Sequence, residues 1–170
     1  CGTYTLDNTA TFTADDTGAS GSDDATVAVT VPCDTGCTLT PGYWKTHSAY
    51  GPAPYDETWA QVGEDTAFFL SGQSWYQALW TSPSGNAYYI LAHAWIATAL
   101  NVLNGSPLTP DVQDAFDAAQ VILETYTPAE IAALKGKSGN ELRAQIIGYA
   151  WILDEYNNGL AAGGPPHCSE

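Results

Sequence analysis

Basic residues are nearly missing from this chain of 170 residues. Only four lysines and arginines stand against nineteen aspartates and glutamates, for a formal net charge of −15. Nucleic acid and anionic membrane surfaces both reward Lys and Arg, so neither is expected as a partner. Long apolar runs are missing too. No stretch of about 18 apolar residues occurs, and nothing is expected to span a membrane. Histidine appears three times, and there is no Cys-x-x-Cys. Cys33-x-x-x-Cys37 fits zinc-finger spacing poorly, so no metal cofactor is expected. Gly-x-Ser-x-Gly, His-Glu-x-x-His and phosphate-loop strings are also absent, and the chain reads as non-catalytic.

What remains is enough for one core plus a small appended module. With 45% hydrophobic and 12% aromatic residues, global disorder is excluded. The four cysteines, Cys1, Cys33, Cys37 and Cys168, each stand at the edge of a segment, and they allow three pairings. Cys1–Cys33 with Cys37–Cys168 follows the segment boundaries and is expected over the crossed alternatives. Disulfides imply an oxidising compartment outside the cytoplasm. A chain beginning at a cysteine is expected to have had residues ahead of it, either a leader or further domains.

Residues 1–36 read as a β module. Tyr4, Leu6, Ala10 and Phe12 interleave with Thr3, Thr5, Thr9, Thr11 and Thr13, and Val27, Val29 and Val31 interleave with Thr26, Ala28 and Thr30. Residues 15–24, rich in Asp, Gly and Ser, read as the polar connection. That makes two long strands, marginal alone and open at both edges, so Thr3, Tyr4, Leu6, Ala10, Phe12, Val27, Val29 and Val31 are the expected assembly strands. The run from Cys1 through the Gly/Ser/Asp turn to Cys33 resembles the closing hairpin of β-sandwich repeats in large prokaryotic cell-surface proteins. The resemblance implies an incomplete immunoglobulin-like sheet, lacking its first strands.

Residues 37–170 read as an all-α antiparallel domain with an aromatic-rich irregular stretch at its start. Pro41-Gly42, expected to turn the chain, Gly51-Pro52 and Pro54 punctuate residues 38–75, with short helical turns expected near Glu57–Val62 and Gln73–Trp80. Helical spacing predicts a helix over Asn86–Asn104, stopped by Gly105. Thr109-Pro110-Asp111 opens the next helix with a cap. Thr127-Pro128-Ala129-Glu130 is a capping box for a short helix reaching Lys135, and Ser138-Gly139-Asn140-Glu141 reads as another for a helix ending at Asn157-Asn158-Gly159. Tyr43 and Trp44 are expected to plug the bundle, and Lys45 to pair with a nearby acid.

The string Gly36-Cys37-Thr38-Leu39-Thr40-Pro41-Gly42-Tyr43-Trp44-Lys45-Thr46-His47 is followed by Phe69-Leu70-Ser71-Gly72, by the run from Gly85 to His93, and by His167-Cys168. Together these are similar to a domain at the C-terminus of secreted bacterial surface proteins. The resemblance implies an extracellular, cell-surface location in a modular protein and transfers no catalytic residue.

The residues with chemistry available are few. His47 beside Trp44 and Lys45, and His93 on an apolar helix side, are the candidates for metal or acid–base work, yet a histidine on an apolar face usually hydrogen-bonds a buried carbonyl. Asp56, Glu57, Glu64 and Asp65 lie among Tyr55, Trp59 and Trp75, where rings could stack on sugars, but their spacing selects no glycosidase pair. Asp15-Asp16 and Asp23-Asp24 read as solvated turn acids or weak calcium ligands. Asn104-Gly105-Ser106 fits the N-glycan acceptor pattern, with Asn104 as the attachment residue. The expectation is a non-catalytic extracellular structural protein, forming a homo-oligomer or polymer by strand complementation. The alternative is a carbohydrate-binding or carbohydrate-cleaving module using loop 43–80, with surface glycans as partner.

Overall fold

The β-rich start of the chain forms one hairpin. In the computed structural model, which describes residues 2–31 and 36–169, β1 (Gly2–Thr13) pairs antiparallel with β2 (Ser20–Val31). The register sets Leu6 opposite Val27, Ala10 opposite Asp23 and Phe12 opposite Gly21. Side chains alternate between faces, so Leu6, Ala10 and Phe12 share one face with Val27 and Val29, while Thr5, Asp7, Thr9, Thr11 and Thr13 take the other. Phe12 lies over Gly21, where an added Cβ would come 2.6 Å from the ring.

The turn is tighter than expected. Ala14 N–H donates to Ala19 O and Gly18 N–H to Ala14 O, both at 2.8 Å, with Gly18 at φ +66°. Residues 20–24, read from composition as turn, therefore belong to β2. Asp23 and Asp24 are strand residues on opposite faces, separated from Asp15-Asp16 in the turn. The ladder wins over turn propensity because the local bonds at Ala14 and Gly18 already close the loop.

The chain divides into two compact units, Cys1–Asp34 and Thr35–Glu170. The second is helical: α1 (Pro41–Thr46), α2 (Trp75–Trp80), α3 (Ala87–Leu103), α4 (Pro110–Thr125), α5 (Pro128–Ala132) and α6 (Gly136–Asn157). Short 3-10 turns occupy Glu57–Gln61 and Phe69–Ser71. The protein thus has an α+β fold, a two-stranded antiparallel sheet followed by a helical domain.

Helix α3 is the central element, with α6, α4, α2, α1 and α5 all packed on it. It is apolar on nearly every side, as a helix covered by neighbours must be. Its ends fall where expected: Asn86 caps the first turn by accepting from Tyr88 N–H, and Asn104 closes the last. The core around it includes Trp44, Trp59, Phe68, Tyr88, Leu91, Leu100, Leu123 and Tyr156, all sealed from solvent.

Several helix ends differ from the sequence expectations. Pro41-Gly42 does not simply turn the chain: it opens α1, with Thr40 as cap accepting from Tyr43 N–H and Pro41 at the first position. The box at Thr127 forms with Glu130 on both sides, but its helix ends at Ala132, short of Lys135. Ser138 caps nothing, because α6 has already begun at Gly136, whose φ of +71° suits glycine. Glu141, freed from the box, lies 3.9 Å from exposed Lys137. Thr109 does hold the cap position of α4, but its hydroxyl makes no capping bond.

Candidate functional site

The segment 37–39 is fastened on both sides. On one side the Cys37–Cys168 disulfide closes a separation of 131 residues, Thr38 N–H donates to Pro166 O (2.9 Å) and Cys168 N–H to Thr38 O (3.0 Å). On the other, the Asn101 side chain of α3 reads Leu39 as a strand would, accepting its N–H at 2.8 Å and donating to its carbonyl at 2.9 Å. The same amide accepts from Trp44 Nε1 (3.2 Å) and donates to Asn157 Oδ1 (2.9 Å), so all four of its hydrogen-bonding positions are filled. Asn157 Nδ2 in turn donates to Ala94 O (2.9 Å), and Thr98 Oγ1 lies 3.1 Å from Asn157 Oδ1. Asn101, Asn157, Thr98 and Trp44 are all fully buried. A buried network whose central amide is fully satisfied fixes one arrangement of its elements, here α1, α3 and α6.

No local motif announces this network: Asn157 reads as a helix end, and Asn101 stands within a helix with no pattern around it. The available signal was an asparagine inside a helix apolar all round, which must find buried partners.

The Cys37–His47 string also lines a cleft of about 440 Å³ with Tyr43, His47, Asp56, Asn104 and Cys168. His47 stacks on the Tyr43 ring at 3.8 Å and its Nδ1 lies 2.9 Å from Tyr43 O. The Tyr43 hydroxyl donates to Asp56 Oδ2 (3.0 Å), while Asp56 Oδ1 caps the turn at Thr58 N–H (2.9 Å). His47 is therefore a packed wall of this cleft. His93 lines a different one, with Nε2 2.9 Å from Thr81 O and 3.1 Å from Ala78 O. Two carbonyl acceptors fix the proton on Nε2, and burial pushes the imidazole below its ordinary pKa of 6.5. Among the described residues no group of three or more His, Cys, Asp or Glu side chains could hold a metal ion.

The rings and acids of loop 43–80 are largely committed to structure. Trp59 is fully buried with Nε1 donating to Trp44 O (3.0 Å), and Trp75 packs against Phe68 and Trp95. Trp59 therefore presents no face to a sugar and Trp75 is partly buried, whereas Tyr55 is 41% exposed. Glu64 is buried and accepts from Ala49 N–H (2.8 Å), and Asp65 accepts from Tyr50 (2.5 Å). Lys45 pairs with no acid: its Nζ sits 3.9 Å from the centre of the Trp80 ring, and among the described residues the one ion pair is Lys137–Glu141. A cation over an indole face meets the ring quadrupole, which replaces the carboxylate expected. Asn104 is exposed at the end of α3 and accepts from Thr58 Oγ1 (3.3 Å). Ser106 of the same acceptor pattern is buried, its hydroxyl donating to Cys37 O (2.6 Å).

The expected assembly residues lie together. The backbone of all eight forms the hairpin, and Leu6, Ala10, Phe12, Val27 and Val29 are exposed on one face. Among the described residues neither outer edge of the hairpin has a strand beside it. The Cys1–Cys33 bridge lies outside the described residues. No helix is long and apolar enough to cross a membrane. No protein-family model, curated protein or solved structure matches the chain.

Proposed function

We propose that the protein is a non-catalytic structural component of an extracellular surface or filament, whose copies assemble by adding strands to one another's hairpins. One observation carries the reading: a pair of 12-residue strands exposes Leu6, Phe12, Val27 and Val29 on one face, at 62%, 64%, 56% and 38%, while its other face is mainly Thr, Ser and Asp. A hairpin with one apolar face needs a second layer on that face, and its open edges are templates for further strands. The cross-link between Cys37 and Cys168 supports an oxidising location. The likeness of the Cys37–His47 string to a domain of secreted surface proteins supports the same setting.

Sedimentation and negative-stain electron microscopy of the full chain test the proposal. The native sequence is expected to form polymers or discrete higher oligomers, and the double variant Leu6→Ser/Phe12→Ser to sediment as a monomer. A native chain that stays monomeric at every concentration up to millimolar would overturn it.

A further inference from the structure

Trp151 is the exposed aromatic that the packing leaves without a purpose. It stands on α6 with 65% of its surface in solvent, on a helix that otherwise buries Ile146, Ala150 and Leu153. Ile147, one turn earlier, is 38% exposed. Both line a cleft of about 350 Å³ that Pro83 and Ile90 line as well. That volume is in the range of small-molecule sites, which combine apolar walls with a few convergent polar groups.

The polar groups here are of one kind. His93 spends its only ring proton on the carbonyls of Thr81 and Ala78, which leaves Nδ1 as an acceptor. Asp154 lies one turn beyond Ala150 on the same lining, and among the described residues no cation stands within 4.0 Å of its carboxylate. Lys45, whose charge is close enough to oppose protonation of His93, is held over the Trp80 ring. A cleft with an indole wall, a carboxylate and a second acceptor lacks a donor of positive charge. An apolar helix or second copy seated here would bury the Asp154 carboxylate with only the Asn158 side chain beside it and no cation to offset its charge. An anion is repelled by Asp154 and by the charge of −15 on the whole chain.

The geometry points to a binding site for an organic cation, an ammonium or guanidinium carried on a short apolar stem. The stem lies between Ile90 and Ile147, and the cationic head meets the Trp151 face and Asp154. Cation–π attraction and a partly exposed ion pair are each modest, so together they favour the cation over an uncharged molecule of the same shape by about fivefold to tenfold.

The probes are n-hexylammonium, agmatine, neutral hexanol and hexanoate, titrated at 0.15 M NaCl into the full chain carrying Leu6→Ser/Phe12→Ser, so that assembly does not interfere. Indole N–H signals in a nitrogen–proton correlation spectrum report the site. Hexylammonium and agmatine are expected to shift Trp151 Nε1–H, hexanol to do so five to ten times more weakly, and hexanoate not at all. Asp154→Asn is expected to abolish the preference for the cation while leaving weak hexanol binding, and Trp151→Ala, read from the backbone amides of Ile90 and Ile147 in the same spectrum, to weaken both. Dispersed indole signals from the remaining tryptophans show that each variant is folded. Equal binding of hexanol and hexylammonium would reduce the cleft to an apolar groove and overturn the assignment. So would cation-induced shifts spread over the acidic surface and unchanged by Asp154→Asn.

Discussion

In the hairpin, Leu6 and Phe12 are more than 60% exposed; in the helical unit, Trp44, Trp59 and Phe68 have no exposed surface at all. Both units use alternating or periodic apolar residues, and both satisfy their backbone within regular elements. The difference is the number of layers. α3 is apolar all round because five other helices surround it, while the hairpin is a single two-stranded layer with one apolar face. Regular structure alone does not bury a face; a second layer does. The helical unit is therefore stabilised from within, whereas a single two-stranded layer has no core of its own.

The largest expected effect is on the first of these. Reducing the Cys37–Cys168 bridge removes a cross-link of 131 residues, worth roughly 5 kcal/mol in the chain-entropy treatment. Thermal melting with and without reductant is expected to show a steep loss of helical signal stability, and the Cys168→Ser variant to match the reduced protein. Next comes Asn101→Ala. It leaves Leu39 N–H and C=O, Trp44 Nε1 and the Asn157 carbonyl each missing a buried partner, and is expected to cost about 3 kcal/mol or more in denaturant unfolding. In a double-mutant cycle with Asn157→Ala, the two changes should fall short of additivity by about 1–3 kcal/mol, since they break one network.

The parts of this contrast that could be read from the sequence are those with a local cause. Residues 37 and 168 bracket a helical segment, so their pairing follows from position, and the box at Thr127 and Glu130 needs only four residues to be seen. The same Thr-Pro signature that announces α4 and α5 stands at Thr40-Pro41, but Gly42 beside it favours a turn. Ser138 and Glu141 match the capping-box pattern equally well, yet the start of α6 is decided by Gly136 and by Gly139, where a Cβ would lie 3.1 Å from the Leu134 carbonyl carbon. The apolar face of the hairpin is legible because its period is two. The Asn101–Asn157 pair spans 56 residues, and only the packing of α3 on α6 brings it together.

Smaller effects come from pH, and they belong to the helical unit because its titrating groups are the buried ones. The imidazole of His93 is held below 6.5 by burial, so its folded form binds a proton less readily than the unfolded chain. Stability from this group is complete above about pH 6.5 and declines as pH falls toward the depressed folded value. Tyr156 behaves in the opposite sense. Its phenol, donating to Ser106 O at 3.0 Å, is pushed up from 10.0 to about 12, chiefly by burial. The stability it gives is complete below pH 10 and lost as pH rises from 10 toward 12. Unfolding midpoints against pH should fall at both ends, with His93→Gln flattening the acid limb and Tyr156→Phe the alkaline one.

The smallest effect on folding is expected where the effect on assembly is greatest. Leu6 and Phe12 touch solvent rather than a core, so Leu6→Ser and Phe12→Ser each should alter the melting of the helical unit by no more than about 0.5 kcal/mol. In an ordinary core position the same exchanges would cost several times as much. If the hairpin face is covered by a neighbouring copy, these substitutions abolish polymer while sparing the melt, and the two readouts separate. If both readouts move together, the face is already part of this chain's own core, and the contrast between a self-sufficient helical unit and an uncovered hairpin fails. Substitution on the opposite face, Thr9→Ser or Thr11→Ser, supplies the control. Those residues lie on the polar side of the same strands, so neither melting nor assembly should change.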